Sequence, residues 1–476
     1  MSFIARSKEL YKLKLAIESP SASLIVSWGR RRVGKTTLIR HFCKSEKITF
    51  LEFAGRLNQT MTQQLSACFN DFNKYVPDLD ASKPKSWQGF FNLLESYIDR
   101  RNKDEAIVIF LDEVPWFDTR RSGFHGHLAH FWNSFCVDRP NVNLVLCGSA
   151  ASYMLNKIVN DKGPLHGRVT HKLYVKPFNL NDSKTLLESR GWRISLESVT
   201  KFFMAVGGVS KYLSAFDSRM TPQEAIQNLC FDDDAILKTE YSQLMASLFN
   251  EASVHNKVMN LLATRWDGLT QKEIIAKTKL SAGAVNKVLS GLVSSGFLDQ
   301  RTRFGASKRG ALYLCADMFS YFHFKWIASY NGVPWNEIEL TAAYRNWTGH
   351  AFEKICHLHI DEIKRAMNIG DIPMSAHYWS HVPIDEDDTG AQIDLLLRDE
   401  RNKKNIEIVE CKYYEGPYTI TKSYKENLKN KIRIFNEQTN FKYNIRLWII
   451  TKEGLKRNQH SDELNIRTLT LEDLFI

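Results

Sequence analysis

One short stretch limits the fold more than any other: "ASLIVSWGRRRVGKTTLIRHFCK", residues 22–44. Its first part is apolar and β-branched and reads as a buried strand. Its last part, "TTLIRHFCK", spaces apolar residues as a helix does. Between them Gly29, four residues, and then Gly34-Lys35-Thr36 give the spacing of a phosphate-binding loop. Glycine lets the loop turn back and bring backbone N–H groups up to phosphate oxygens, and the helix N-terminus adds partial positive charge. The stretch Gly29, Arg30, Arg31, Arg32, Val33, Gly34, Lys35, Thr36 and Thr37 is therefore the candidate ATP-binding loop. Lys35 can reach the β- and γ-phosphates, and the Thr36 hydroxyl can ligate Mg²⁺. The three arginines are expected to point outward, towards solvent, DNA or a neighbouring subunit.

A nucleotide hydrolase also needs acid at the tip of a neighbouring strand. "AIVIFLDEVPW", residues 106–116, supplies it, with Asp112 to hold Mg²⁺ through water and Glu113 to polarise the attacking water. "NLVLCGSAAS", residues 143–152, is expected to form the strand between these two. Its polar end, Ser149, either senses the γ-phosphate or caps the following helix.

A chain of 476 residues exceeds one ordinary core, so roughly two to four domains are expected. The alternation of strands and helices over the first third predicts a parallel α/β sheet covered on both faces. No apolar run is long enough to span a membrane and "MSFIARSKEL" is not a signal peptide. Eight scattered cysteines without a C-x-x-C pair predict reduced thiols, neither zinc site nor disulfides, and a cytoplasmic location. The net charge of +11 favours a polyanionic partner; with the further features below, DNA is expected ahead of RNA.

The segments "FIARSKEL", "GRRRVGKT", "IFLDEVPW", "LCGSAASYM", "GPLHGR" and "GGVSKYL" occur in that order within residues 1–240. Together they resemble the archaeal-type ATPase family, a branch of the AAA+/STAND nucleoside triphosphatases. The resemblance implies a P-loop NTPase core, a helical lid and a homo-oligomer. It also makes Arg168, in "GPLHGR", a candidate finger for the γ-phosphate in cis or from a neighbour, with a solvent-facing arginine as the alternative. Two positions depart from the family pattern: Ala5 stands where glycine is usual, and Ser210 where proline is usual.

Residues 269–300 read as helix, turn, helix. Thr270 with Glu273 forms a capping box, and Ser281 can cap a second helix with Val285, Val288, Leu289 and Leu292 on one face. "FLDQRTRFGASKRGALYL" then predicts two short strands, completing a winged helix-turn-helix. Asn286 and Lys287 are its candidate groove contacts, and Arg301, Arg303, Lys308 and Arg309 its candidate phosphate contacts. Such a domain can equally serve as a protein-interaction module or spacer.

The second informative stretch is "GAQIDLLLRDERNKKNIEIVECKYYEG", residues 390–416. Two strands joined by a basic hairpin would bring Asp394 towards Glu410, and Glu410 shares a face with Lys412 while Cys411 points away. Two carboxylates can hold Mg²⁺ or Mn²⁺, and the Lys412 ammonium can orient water and stabilise phosphorane charge. A β-hairpin with a solvated acidic edge is the plain alternative. This D…E-x-K spacing resembles the PD-(D/E)xK, restriction-endonuclease-like superfamily, as does the closing "TLTLEDLFI". The resemblance adds Glu353, on the upstream segment "GHAFEKICHLHIDEI", as a further acid. His350, His357 and His359 have no trustworthy ligand spacing and are expected on the surface or satisfied in the core.

The expected organisation is a P-loop ATPase core at 1–170, a helical lid at 171–244, a winged helix at 245–330 and a nuclease-like α/β domain at 335–476. The expected function is an ATP-hydrolysing, DNA-binding protein with a metal-dependent nuclease domain, in mobile-DNA maintenance or antiviral defence by analogy of architecture. The alternative is a STAND-type switch whose C-terminal domain binds DNA or protein without cutting, and a third is an ATPase with a purely protein partner.

Overall fold

The computed structural model describes residues 3–76, 82–160, 162–163, 165–249, 251–305, 310–383 and 389–476. The chain divides into two compact units, Met1–Pro177 with Ala246–Asn250, and Phe178–Met245 with Glu251–Ile476.

The first unit is built on strands β1 (Ser23–Trp28), β2 (Thr49–Ala54), β3 (Ile107–Asp112), β4 (Val142–Gly148) and β5 (His171–Tyr174). They form one sheet in the order β2-β3-β4-β1-β5, all parallel. Parallel strands covered by helices on both faces need continuous apolar runs, and β3 and β4 are buried at every position. One face packs Leu38, Ile39 and Phe42 of the helix Lys35–Ser45. The other carries an aromatic cluster including Trp87, Phe90, Phe91, Phe124 and Phe131. As expected, β4 lies between β3 and β1. The core does not end at 170: β5 pairs with β1 from Ile25↔His171 to Trp28↔Tyr174, so this unit extends to Pro177. Short, partly exposed and edge-placed, β5 lacks the apolar run that would mark it in sequence.

In the second unit the helices Leu180–Ser189, Leu196–Val206, Ser210–Leu213 and Pro222–Cys230 form the region expected as a lid. They are continuous with the C-terminal part of the chain. The Leu180 N–H donates to His359 Nε2 at 2.9 Å, Asn179 Nδ2 to Glu362 Oε1 at 2.9 Å, and Lys452 pairs with Glu197 at 3.0 Å. The Gly207-Gly208 turn has a steric reason. Gly207 is left-handed at φ 62, and a methyl group on Gly208 would lie 1.8 Å from the Phe178 carbonyl oxygen. Ser210 opens a helix, a position where proline also fits, and Ala5 has φ 59, which explains why glycine is usual there. Gly208→Ala is expected to lower stability by about 3 kcal/mol, because the clash is with backbone that cannot swing away; thermal or denaturant unfolding reads it.

Helices Ala252–Ala263, Gln271–Thr278 and Ala282–Ser294 follow, with strands β6 (Leu269–Thr270), β7 (Leu298–Arg301) and β8 (Leu312–Cys315) in an antiparallel sheet of order β6-β8-β7. The capping box at Thr270 and Glu273 and the cap at Ser281 are both present. Val285, Val288, Leu289 and Leu292 are buried.

The C-terminal sheet uses β9 (Met374–His381), β10 (Ala391–Asp399), β11 (Asn405–Lys412), β13 (Asn444–Thr451) and β15 (Arg467–Thr470) in the order β15-β13-β11-β10-β9. Two short strands, β12 (Tyr418–Thr419) and β14 (Leu455–Lys456), pair separately. β9, β10 and β11 are antiparallel, whereas β13 and β15 run parallel to β11. The helix Lys422–Gln438 connects the two halves of the sheet, and the helix Ala342–Leu358 packs against β11. Phe304, just past β7, is buried with Trp379 and Phe435 of this domain. The described segment just after β7 is thus held in the C-terminal core at Phe304.

Candidate functional site

The nucleotide-binding elements meet at the C-terminal ends of β1, β3 and β4, where open parallel sheets place their ligands. Gly29, at the end of β1, leaves no room for a side chain: a Cβ there would lie 2.2 Å from the Val175 carbonyl oxygen. Gly34 is left-handed at φ 91 and begins the helix Lys35–Ser45 without a side-chain cap, so its first N–H groups are available to an anion. The Lys35 ammonium is buried and donates to the carbonyls of Gly29 and Arg30, both at 3.1 Å, and to Ser149 Oγ at 3.3 Å. The Thr36 hydroxyl donates to Asp112 Oδ2 at 2.6 Å, so the two hard oxygen groups expected to serve Mg²⁺ are already adjacent.

Glu113 has φ 48, a backbone conformation that costs a non-glycine residue about 1–2 kcal/mol. Its carboxylate is held by Ser149 twice, through the backbone N–H at 3.1 Å and through the hydroxyl. Ser149 is therefore not a helix cap: the helix Ala151–Tyr153 begins at Ala150 without a side-chain cap, and Ser149 instead links Lys35 to Glu113. The arginines differ from the outward expectation. Arg30 is 2% exposed, Arg31 lies 5.8 Å over the Trp116 ring, and Arg32 is left-handed at φ 72. The turn back at Gly29 folds this part of the loop onto the protein. Val33 is buried and Thr37 exposed. Arg168 is exposed, in a turn closed by its own N–H to the Leu165 carbonyl at 3.0 Å.

A second constellation lies where β10 and β11 part. Their ladder ends at Leu395↔Val409, one pair before Asp394 and Glu410, next to an irregularity in β10 between Ile393 and Leu396. The opening lets Asp394 turn its carboxylate to the Cys411 N–H at 2.9 Å. The Lys412 ammonium lies 3.6 Å from Asp394 and 3.5 Å from Glu410. The three expected residues thus come together, on the face away from Cys411. Two partners were not legible in the sequence: Lys431 holds both Glu410 oxygens at 2.8 Å, and the Tyr424 hydroxyl donates to one of them at 3.0 Å. The signal for Lys431 is a lysine at helical spacing from Leu428, Ile434 and Phe435, all buried.

Burial, and next the negative charge of Asp394, push the Glu410 carboxyl above its ordinary value, against the pull of Lys431 and Lys412. Burial acts to lower the Lys412 pKa, but Asp394 and Glu410 outweigh it and the ammonium is strengthened. Glu353 does not join the cluster: it pairs with His350 at 3.6 Å, on a helix packed against β11. His357 is half-buried and donates to the Asp394 carbonyl at 2.8 Å, and the buried His359 is held between Leu180 and Ile355, as satisfied core residues are. Among the described residues no three His, Cys, Asp or Glu side chains are grouped to hold a metal. Asp394 and Glu410 would hold Mg²⁺ or Mn²⁺ only together with water and phosphate, as Mg²⁺ seldom uses an all-protein cage.

The nucleic-acid candidates divide. Asn286 and Lys287 are exposed, Lys287 lying 4.0 Å from Glu251. Arg301 is paired with Asp299 at 2.7 Å, and the exposed Arg303 donates one bond to the Ser380 carbonyl at 2.9 Å, which leaves its charge unpaired by that bond. Lys308 and Arg309 lie outside the described residues. No helix among the described residues is long and apolar enough to cross a membrane, and all eight cysteines are buried and unpaired with one another as disulfides.

The sheet order, the loop and the acidic strand tip define a P-loop ATPase. Residues 3–216 match the family model of an "ATPase domain predominantly from Archaea", so this part of the chain is similar to that family. Over 443 residues the chain is 24% identical to the "Uncharacterized protein MJECL04" of Methanocaldococcus jannaschii, covering 91% of this chain and 92% of that one. The likeness therefore includes the C-terminal region. A second protein of that organism, the "Uncharacterized ATP-binding protein MJ0423", is 46% identical over 46 residues, 10% of this chain and 78% of its own. Among solved structures, the Walker-type ATPase PABY2304 of Pyrococcus abyssi superposes with a TM-score of 0.50 at 16% identity, covering 68% of this chain and 96% of that one, a likeness of fold.

Proposed function

We propose that the protein is an ATP-hydrolysing, DNA-binding enzyme whose C-terminal domain cuts phosphodiester bonds with a divalent metal. The observation that carries this reading is the convergence of Asp394, Glu410 and Lys412 at the parting of two strands, with the Lys412 ammonium within 3.6 Å of both carboxylates. Mg²⁺ or Mn²⁺ bound by Asp394 and Glu410 would supply Lewis acidity and a water of lowered pKa. Lys412 would orient that water and offset phosphorane charge. Its strengthened ammonium makes it an electrostatic group and not a base. The winged helix would deliver DNA through Asn286 and Lys287, with the net charge of +11 giving the long-range attraction. ATP turnover at Lys35, Thr36, Asp112 and Glu113 would drive rearrangement in a homo-oligomer, with Arg168 as the candidate finger in cis or from a neighbour. Maintenance of, or defence against, mobile DNA is the cellular role this combination suits.

Purified protein with Mg²⁺ or Mn²⁺ is expected to nick or degrade DNA in a gel assay. Intact DNA across metals, strandedness and ATP would favour the second reading, a STAND-type switch that binds without cutting. One observation favours that switch: Glu410 is fully buried and already ion-paired to Lys431.

In the ATP site, Ser149 would exchange its bonds to Lys35 and Glu113 for the γ-phosphate. Ser149→Ala is expected to lower kcat for ATP by about 10–100-fold with nucleotide binding retained, since one positioned donor near the phosphate is lost. Phosphate release together with nucleotide titration checks it, and an unchanged kcat would exclude a catalytic part for Ser149.

A further inference from the structure

Glu410 already has a cation. The Lys431 ammonium sits 2.8 Å from both carboxylate oxygens, while Lys412 stands off at 3.5 Å from the nearer one. Tyr424 and Lys431 are seven residues apart on the helix Lys422–Gln438, two turns, so both project from one face towards Glu410. The Glu410 side chain is wholly buried, whereas that of Lys431 is 16% and that of Lys412 26% exposed. The carboxylate is therefore reached past two ammonium groups that border solvent.

A divalent cation would need the same lone pairs. Mg²⁺ sits about 2.0–2.1 Å from a ligating oxygen, within the space the bidentate ammonium occupies, and the two positive charges repel. A long, flexible lysine can leave such a site without disturbing the helix that carries it. A phosphate offers its ammonium an alternative anion at the mouth of the site.

We propose that Lys431 is a latch on the C-terminal site: it keeps Glu410 from a divalent cation until a phosphodiester phosphate draws its ammonium away. Metal and nucleic acid are then taken together, and free cellular Mg²⁺ alone does not arm the site. This rests on the reading of Asp394, Glu410 and Lys412 as a metal-dependent nuclease site. Lys431 is a positioning residue in this account, acting on Glu410.

Mn²⁺ titration of the nucleotide-free full chain, followed by electron paramagnetic resonance, tests it without an activity readout. The component that disappears in Glu410→Gln is the one to follow. Lys431→Met is expected to bind Mn²⁺ there at least tenfold more tightly than the unaltered protein, and the double variant with Glu410→Gln is expected to lose that gain. A phosphorothioate oligonucleotide is expected to tighten Mn²⁺ binding at least tenfold more in the unaltered protein than in Lys431→Met. Lys431→Gln, which keeps the stem and a donor, serves if the methionine variant unfolds. Equal, Glu410-dependent affinities in the unaltered protein and both variants would overturn the latch and leave the metal site standing. Equal tightening by the oligonucleotide would show that phosphate does not act through Lys431. No Glu410-dependent Mn²⁺ binding in any of them would remove the metal-site reading itself, and the latch with it.

Discussion

Lys35→Ala is expected to reduce ATP hydrolysis by about 10²–10³-fold. The reasoning starts from what the ammonium touches. Its three partners are two carbonyls of the loop and the Ser149 hydroxyl, all of which a bound triphosphate would border. No other lysine is placed on this loop, and the charge that develops on the transferred phosphoryl group would lose its nearest fixed cation. The fold should persist. Gly29 is held by its close approach to Val175, and Thr36 by its hydroxyl bond to Asp112, neither of which needs the lysine. Phosphate release at saturating ATP and Mg²⁺, with thermal unfolding as the control, decides it. Turnover at the unaltered rate in this variant would mean that hydrolysis occurs elsewhere.

Lys412→Ala is expected to abolish DNA cleavage, by about 10²-fold or more, while leaving DNA binding and the fold largely intact. The geometry separates the two lysines beside Glu410. Lys431 holds the buried carboxylate at 2.8 Å and so carries most of its compensation, whereas Lys412 lies 3.5 Å away and faces Asp394 as well. Removing Lys412 therefore leaves Glu410 paired and costs little stability. Removing it also deletes the one ammonium placed between the two carboxylates, where the scissile phosphate would sit. Lys412→Arg should not restore cleavage, because the planar guanidinium is larger and cannot occupy the same point. A gel assay of linear and supercoiled DNA, with a binding measurement in parallel, reads the result. Cleavage by Lys412→Ala at the unaltered rate would sink the assigned role.

The chemistry that sequence could reach is chemistry carried by short spacing. Gly29 to Thr37 lie within one strand-turn-helix, so their arrangement follows from local conformation. Asp112 and Glu113 end a strand whose apolar run declares it buried. Glu410 and Lys412 share a face because side chains alternate along any strand. The capping residues Thr270, Glu273 and Ser281 were legible for the same reason.

What only the tertiary structure decided is which distant group each of these residues meets. Ser149 could have capped a helix; the neighbouring strands β3 and β4 instead set it against Glu113. Arg303 reads as part of a wing until it is seen to donate to the Ser380 carbonyl, beside a Phe304 buried with Trp379 and Phe435. The strand β5 carries no strong pattern of its own and is fixed by β1. Lys431 lies twenty-one residues from Glu410, and its helical spacing from Leu428, Ile434 and Phe435 turns it inward without saying which carboxylate it meets. Spacing along the chain fixes a residue's direction within its own element. Its partner is set by how elements far apart in sequence pack, and burial then turns that choice into an ion pair or a hydrogen bond.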